Sequence, residues 1–285
     1  MSRPRLSFLL FLLSLSASVT AFSASSASQA RPAPPPRVNE AQRTDEAQRI
    51  VADILTADYR CDLEGLAGGA AALAQLVDDR ELGPAARYWR GFAQSCSALG
   101  RVFVLASERE LALSELDEAI ETLLSVSGEP WRSEARSLAS GCLNNRIFLR
   151  HLQGDEAEEV RRQARALMAE AVAGAPESPR VLWILGGQFS LEPETGGGGR
   201  GRALEVYERG LELVRRPSSE TVHPLAPRWG EAELLSALSF LHATLEPVDL
   251  ARAESFARQA LELQPEWKYV RERLLPGILS RSRPK

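Results

Sequence analysis

Three stretches of this chain align without gaps: "ARALMAEAVAGAP" (164 to 176), "ALEVYERGLELVR" (203 to 215) and "AESFARQALELQP" (253 to 265). Ala164, Ala203 and Ala253 begin them; Met168, Tyr207 and Ala257 fall four residues later, and Ala171, Gly210 and Ala260 seven later. Offsets of zero, four and seven return to one face of a helix. Small residues at two of the three offsets let a neighbouring helix approach closely, and the middle position fills the groove to the next unit. A pattern that recurs at long intervals therefore restricts the chain to stacked helix hairpins.

The rest of the sequence agrees. No run of alternating β-branched residues is present, so strands are not expected. Successive helices are predicted over about 40–62, 63–79, 84–99, 107–125, 133–152, 156–173, 180–190, 202–215, 230–245 and 249–264, with a short last element over 267–275 stopped by Pro276-Gly277. Gly83-Pro84, Gly128 and Pro130 punctuate the chain as helix ends and starts. Loops fall at the glycine run and at 217–229, which holds Pro217, Pro224 and Pro227.

The three aligned segments resemble the second helix of tetratricopeptide repeats, whose pattern is A-x(3)-F-x(2)-A-x(4)-P; Pro176 and Pro265 close two of them. Leu182, Leu185, Gly186 and Phe189 match the family's first-helix positions. The likeness is strongest over about 135–267 and weaker over 45–130. Spacings of 39 and 50 residues (164 to 203, 203 to 253) exceed the usual 34. The C-terminal half further resembles a group of exported bacterial repeat proteins. These carry a glycine-rich turn, here Gly196 to Gly199, and a P-x-W-G helix start, here Pro227-Arg228-Trp229-Gly230. The resemblance implies an all-α, right-handed α-solenoid of about five helix hairpins, and function only at the level of that class.

Residues 1–30 read as a signal peptide: Arg3 and Arg5 precede an apolar stretch diluted by Ser and Thr after Leu13, followed by small residues. Cleavage fits after Ala30 or Ala21. Pro32 and Pro34 to Pro36 make 31–39 a stiff linker, and 40–280 forms the repeat domain. The chain is expected to be exported, periplasmic or secreted, with no membrane association once the signal is removed. A net charge of −4 excludes the usual electrostatic footprint of a nucleic-acid binder. Cys61, Cys96 and Cys142 lack metal-ligand spacing. One disulfide with a free thiol is possible on export, but their apolar helical contexts favour three packed thiols.

One motif invites a chemical reading. Gly196-x-x-x-x-Gly201-Arg202-Ala203 approaches a phosphate-binding loop, G-x-x-x-x-G-K-[ST]. It lacks the Lys and the hydroxyl, no strand feeds it, and Ala203 and Tyr207 already serve the repeat. A nucleotide site is not expected. What survives is an anion or partner contact at Arg200 and Arg202 beside a helix N-terminus. The histidines His151, His223 and His242 are isolated, and no catalytic, cofactor or metal residues are expected. The five tryptophans stand near helix starts as packing anchors, with Trp183 the candidate for a partner-facing position. The expected function is a non-catalytic scaffold that binds a protein partner through its concave face. The alternative is a small-ligand-binding accessory subunit of a transport system.

Overall fold

A computed structural model describes residues 40–103, 108–192, 198–216, 223–244 and 246–282. The expected signal peptide and linker, as well as Gly196 and Gly197, lie outside the described residues. Among those described, the chain is all-α and contains no strand. The helices are α1 (Glu40–Arg60), α2 (Leu63–Leu73), α3 (Gly83–Phe103), α4 (Arg109–Leu124), α5 (Trp131–Arg150) and α6 (Gly154–Gly174). They continue as α7 (Pro179–Leu191), α8 (Arg200–Val214), α9 (Glu231–Thr244), α10 (Leu250–Leu263) and α11 (Leu275–Ser282).

Helix starts follow local chemistry. Asp62 accepts from the Gly65 amide at 3.0 Å to cap α2, and Asp249 accepts from the Arg252 amide at 2.9 Å to cap α10. Ser178 caps α7, with Pro179 in its first turn. Gly199 precedes α8 at φ 99°, a backbone conformation that only glycine adopts without strain, so this member of the glycine run has a structural duty.

Two predicted boundaries move. The second helix, expected to reach Asp79, ends at Leu73 and tightens into a 3₁₀ turn over Ala74–Leu76. The last element does not stop at Pro276. A π-helical turn over Val270–Leu274, in which the Leu275 amide bonds the Val270 carbonyl, runs into α11, and Pro276 and Gly277 lie in that helix's first turn. The π-helical turn shifts the regular i→i−4 ladder just ahead of Pro276, which accommodates the missing N–H.

Consecutive helices pair, α1 with α2, α3 with α4, α5 with α6, α7 with α8 and α9 with α10, and the first helices of successive pairs also touch one another. The seams bury the aligned positions: Ala164, Met168, Ala171, Ala203, Tyr207, Ala253, Ala257 and Ala260 are all 6% exposed or less. Ser140 Oγ donates to the Ala164 carbonyl at 2.7 Å, and Ser239 Oγ donates to the Ala253 carbonyl at the same distance. Two hairpins thus repeat one polar contact as well as one apolar face. The helix α9 is buried nearly all round, with Leu234, Leu235, Leu238 and Leu241 at most 1% exposed. It is the interior helix that the later pairs surround.

Candidate functional site

The row of first helices is covered by the chain's own residues 223–230. Trp89 of α3 donates from Nε1 to the Leu225 carbonyl at 2.8 Å, and Gln48 of α1 donates to the Pro224 carbonyl at 3.1 Å. Leu225 is 1% exposed and Trp229 4%. The Trp229 ring meets Phe92 at 5.2 Å and Trp183 at 5.5 Å, and Trp131 meets His223 at 5.2 Å, so aromatic side chains from three helices close over this segment.

Beneath it runs a buried polar network. Arg180 of α7 grips Glu134 of α5 with Nε at 2.7 Å and Nη2 at 2.6 Å, and its Nη1 donates to the Trp229 carbonyl at 3.2 Å. Ser178 adds a bond to Glu134 at 3.0 Å. Trp229 Nε1 donates to the Tyr88 hydroxyl at 3.2 Å. Tyr59 of α1 donates to Glu233 of α9 at 2.7 Å, and the Gly230 amide donates to the same carboxylate at 2.8 Å. Burial pushes the Glu233 carboxyl above its ordinary range, while those bonds from Tyr59 and Gly230 hold it back. Asp58, beside Cys96 and Glu233, is pushed up to about 7, chiefly by burial. The network bonds its members to one another, which is the arrangement of a structural core.

The cysteines are free thiols, Cys142 buried and the other two half-buried. Burial pushes Cys142 to about 12, and burial with the nearby Asp58 carboxylate raises Cys96 and Cys61. These surroundings disfavour the thiolate that a nucleophile or metal ligand requires. Among the described residues no group of three or more His, Cys, Asp or Glu side chains is placed to hold a metal ion. No helix among them is long and apolar enough to cross a membrane.

The three residues singled out from sequence are not brought together. Trp183 is half-buried and packs between the two main hydrophobic clusters through its contact with Trp229. Arg200 is exposed and donates to the Thr244 carbonyl at the end of α9 at 2.9 Å. The Arg202 guanidinium lies 4.3 Å from the centre of the Phe189 ring, in cation–π contact with α7. All three tie elements of this chain to one another.

The surface points elsewhere. A cleft of about 420 Å³ opens where α5 ends, between α6 and the end of α7. Its walls include Phe148 and Leu191, 50% and 77% exposed, the most exposed of the large apolar side chains among the described residues. Ile147 and Leu152 continue the apolar lining, while Arg161, Arg165 and His151 supply polar groups. His151 ends α5 at φ 50°. Its Nε2 lies 3.0 Å from Arg109 Nη1; since a guanidinium only donates, Nε2 accepts and the ring proton sits on Nδ1. The volume lies within the range of small-molecule sites, and apolar walls with a few convergent polar groups are their usual composition. Sequence reading missed Phe148 and Leu191 because each sits on a helical period that also describes core residues.

No family model matches the chain, and no curated protein matches it. Among solved structures it is similar to the HusA haemophore from Porphyromonas gingivalis, with a TM-score of 0.54 and 19% identity over 73% of this chain and 98% of that one. At this identity the likeness is one of fold.

Proposed function

We propose that this chain is an exported, non-catalytic binding protein of tetratricopeptide-like solenoid build that carries a small apolar ligand with an acidic group. The cleft between α5, α6 and α7 is its site. The observation that carries this reading is the pairing of Phe148 and Leu191, strongly exposed, with Arg161, Arg165 and His151 around one opening. Exposed apolar side chains gathered at a concave place cost solubility unless something covers them. The fold likeness to a haemophore supports the same class of cargo. A haem is an apolar macrocycle with carboxylates at one edge, so it is the first ligand to try.

Of the two functions expected from sequence, this follows the small-ligand alternative. A protein partner seated on the inner face, the row of first helices beneath residues 223–230, would have to displace Leu225 and Trp229, along with the bonds they receive from Trp89 and Arg180.

The test is titration of haemin and of metal-free protoporphyrin into the purified chain, followed by visible absorbance. Saturable one-to-one binding is expected, weakened about ten-fold or more when Phe148→Ala and Leu191→Ala are combined, in line with the loss of two apolar contacts. Absence of binding by either porphyrin to the unaltered chain defeats haem as the cargo. Binding that ignores the double substitution defeats the cleft.

A further inference from the structure

A second cleft, of about 550 Å³, lies between α8, α9 and α10. Its floor is apolar, made by Leu211, Leu238 and Phe256, and its rim carries Arg215, Arg216 and Arg252. Each arginine is held by an acidic or amide partner. Arg252 Nη2 meets Glu208 at 3.1 Å, Arg216 Nη2 meets Glu212 at 2.6 Å, and Arg215 meets Glu231 at 2.7 Å and Gln259 at 3.2 Å. A guanidinium has five N–H donors, so each keeps donors beyond those bonds. The Arg252–Glu208 and Arg216–Glu212 pairs join half-exposed side chains, and such pairs hold weakly against a competing carboxylate.

Stacked on the floor's Phe256 is a side chain with an unsatisfied group. His242 of α9 is 8% exposed and stacks on Phe256 at 5.6 Å with 25° between the rings, and its Nε2 is buried without a hydrogen-bond partner. Native structures rarely leave a buried polar nitrogen unpaired. The ring stacked on that imidazole, Phe256, lines the cleft and also carries the Arg252 guanidinium 5.6 Å from its centre.

We infer that this cleft is a second binding site, for an apolar carboxylate of the fatty-acid or aryl-acid class. The apolar body lies on Leu211, Leu238 and Phe256. The carboxylate takes the place of Glu208 or Glu212 on the arginines, with the bidentate geometry that guanidinium favours. This inference stands on different residues from the first cleft and does not depend on it.

The experiment is isothermal titration of the purified chain with dodecanoate and with dodecanol, each kept monomeric. The acid is expected to bind saturably, and the alcohol at least about ten-fold more weakly, since it lacks the charge-assisted bonds. Arg216→Met with Arg252→Met is expected to bring the acid down to the level of the alcohol. The acid-against-alcohol comparison on the unaltered chain needs no substitution and so is independent of folding. Equal affinity for acid and alcohol, no saturable heat with the acid, or acid binding that ignores the combined Arg216→Met and Arg252→Met substitutions each overturns the proposal.

Discussion

Where α8 lies on α7 and where α10 lies on α9, equivalent positions meet: Ala203, Tyr207 and Gly210 in one seam, Ala253, Ala257 and Ala260 in the other. On the inner face nothing recurs. Arg180, Glu134, Tyr88, Trp229, Tyr59 and Glu233 each occur once in their role, and they join helices up to 174 residues apart. The seams are made of shape, repeated; the inner face is made of directed polar bonds, unrepeated. Shape complementarity between neighbours comes from local pattern, while a single bonded network fixes how the whole row closes.

The contrast predicts different vulnerabilities. The largest effect belongs to the inner face: Arg180→Met leaves the Glu134 carboxylate, whose side chain is 7% exposed, without its cation. A loss of about 3–5 kcal/mol is expected, measured by urea unfolding, because an unpaired buried charge is more costly than the pair was favourable. A seam substitution of equal cost to the inner-face one would break the distinction.

Next comes a pH effect peculiar to the inner face. Asp58 is pushed up to about 7 from its ordinary 3.8, so the folded chain holds a proton there that the unfolded chain releases. The contribution is fully present below about pH 4, declines as pH rises toward 7 and is constant above that; the span is on the order of 2–4 kcal/mol. Asp58→Asn is expected to flatten that part of the stability-against-pH curve relative to the unaltered chain. Parallel curves would remove Asp58 from the account.

The smallest effects sharpen the seam side. A Cβ built on Gly186 would lie 2.3 Å from the Tyr207 ring, which is 6% exposed and has nowhere to go. Gly186→Ala should therefore cost about 1–3 kcal/mol. Gly201, in the first turn of α8, meets nothing within 4 Å, and Gly201→Ala should stabilise by about 0.5–1 kcal/mol. Thermal melts of the two variants, moving in opposite directions, would separate the glycine that packing requires from one that it does not.

What could be read beforehand follows the same division. The helices and their buried faces were legible because a 3.6-residue period is local, and the aligned alanines lie on the buried side. Trp229 was legible as a helix start, but not as a residue seated on Phe92 and Trp183, since that contact depends on where two other helices sit. The glycine run suggested an anion contact at Arg200 and Arg202, whereas those side chains reach Thr244 and Phe189 of the same chain. Phe148 and Leu191 look like core residues in sequence. Both lie at the ends of their helices, Phe148 in the last turn of α5 and Leu191 as the last residue of α7, where neighbours such as Leu149 and Gln188 are buried while these two side chains are exposed.

The bond from Tyr59 to Glu233, with Trp267 resting on the Tyr59 ring at 5.3 Å and Arg60 paired to Glu266, ties the first hairpin to the last. Open repeat arrays lengthen or shorten by whole units with little penalty, because each unit touches only its neighbours. A chain whose ends are bonded to each other has lost that freedom. Inserting or deleting one hairpin would carry Tyr59 out of reach of Glu233, so in this chain the number of hairpins is set by the contact that closes it.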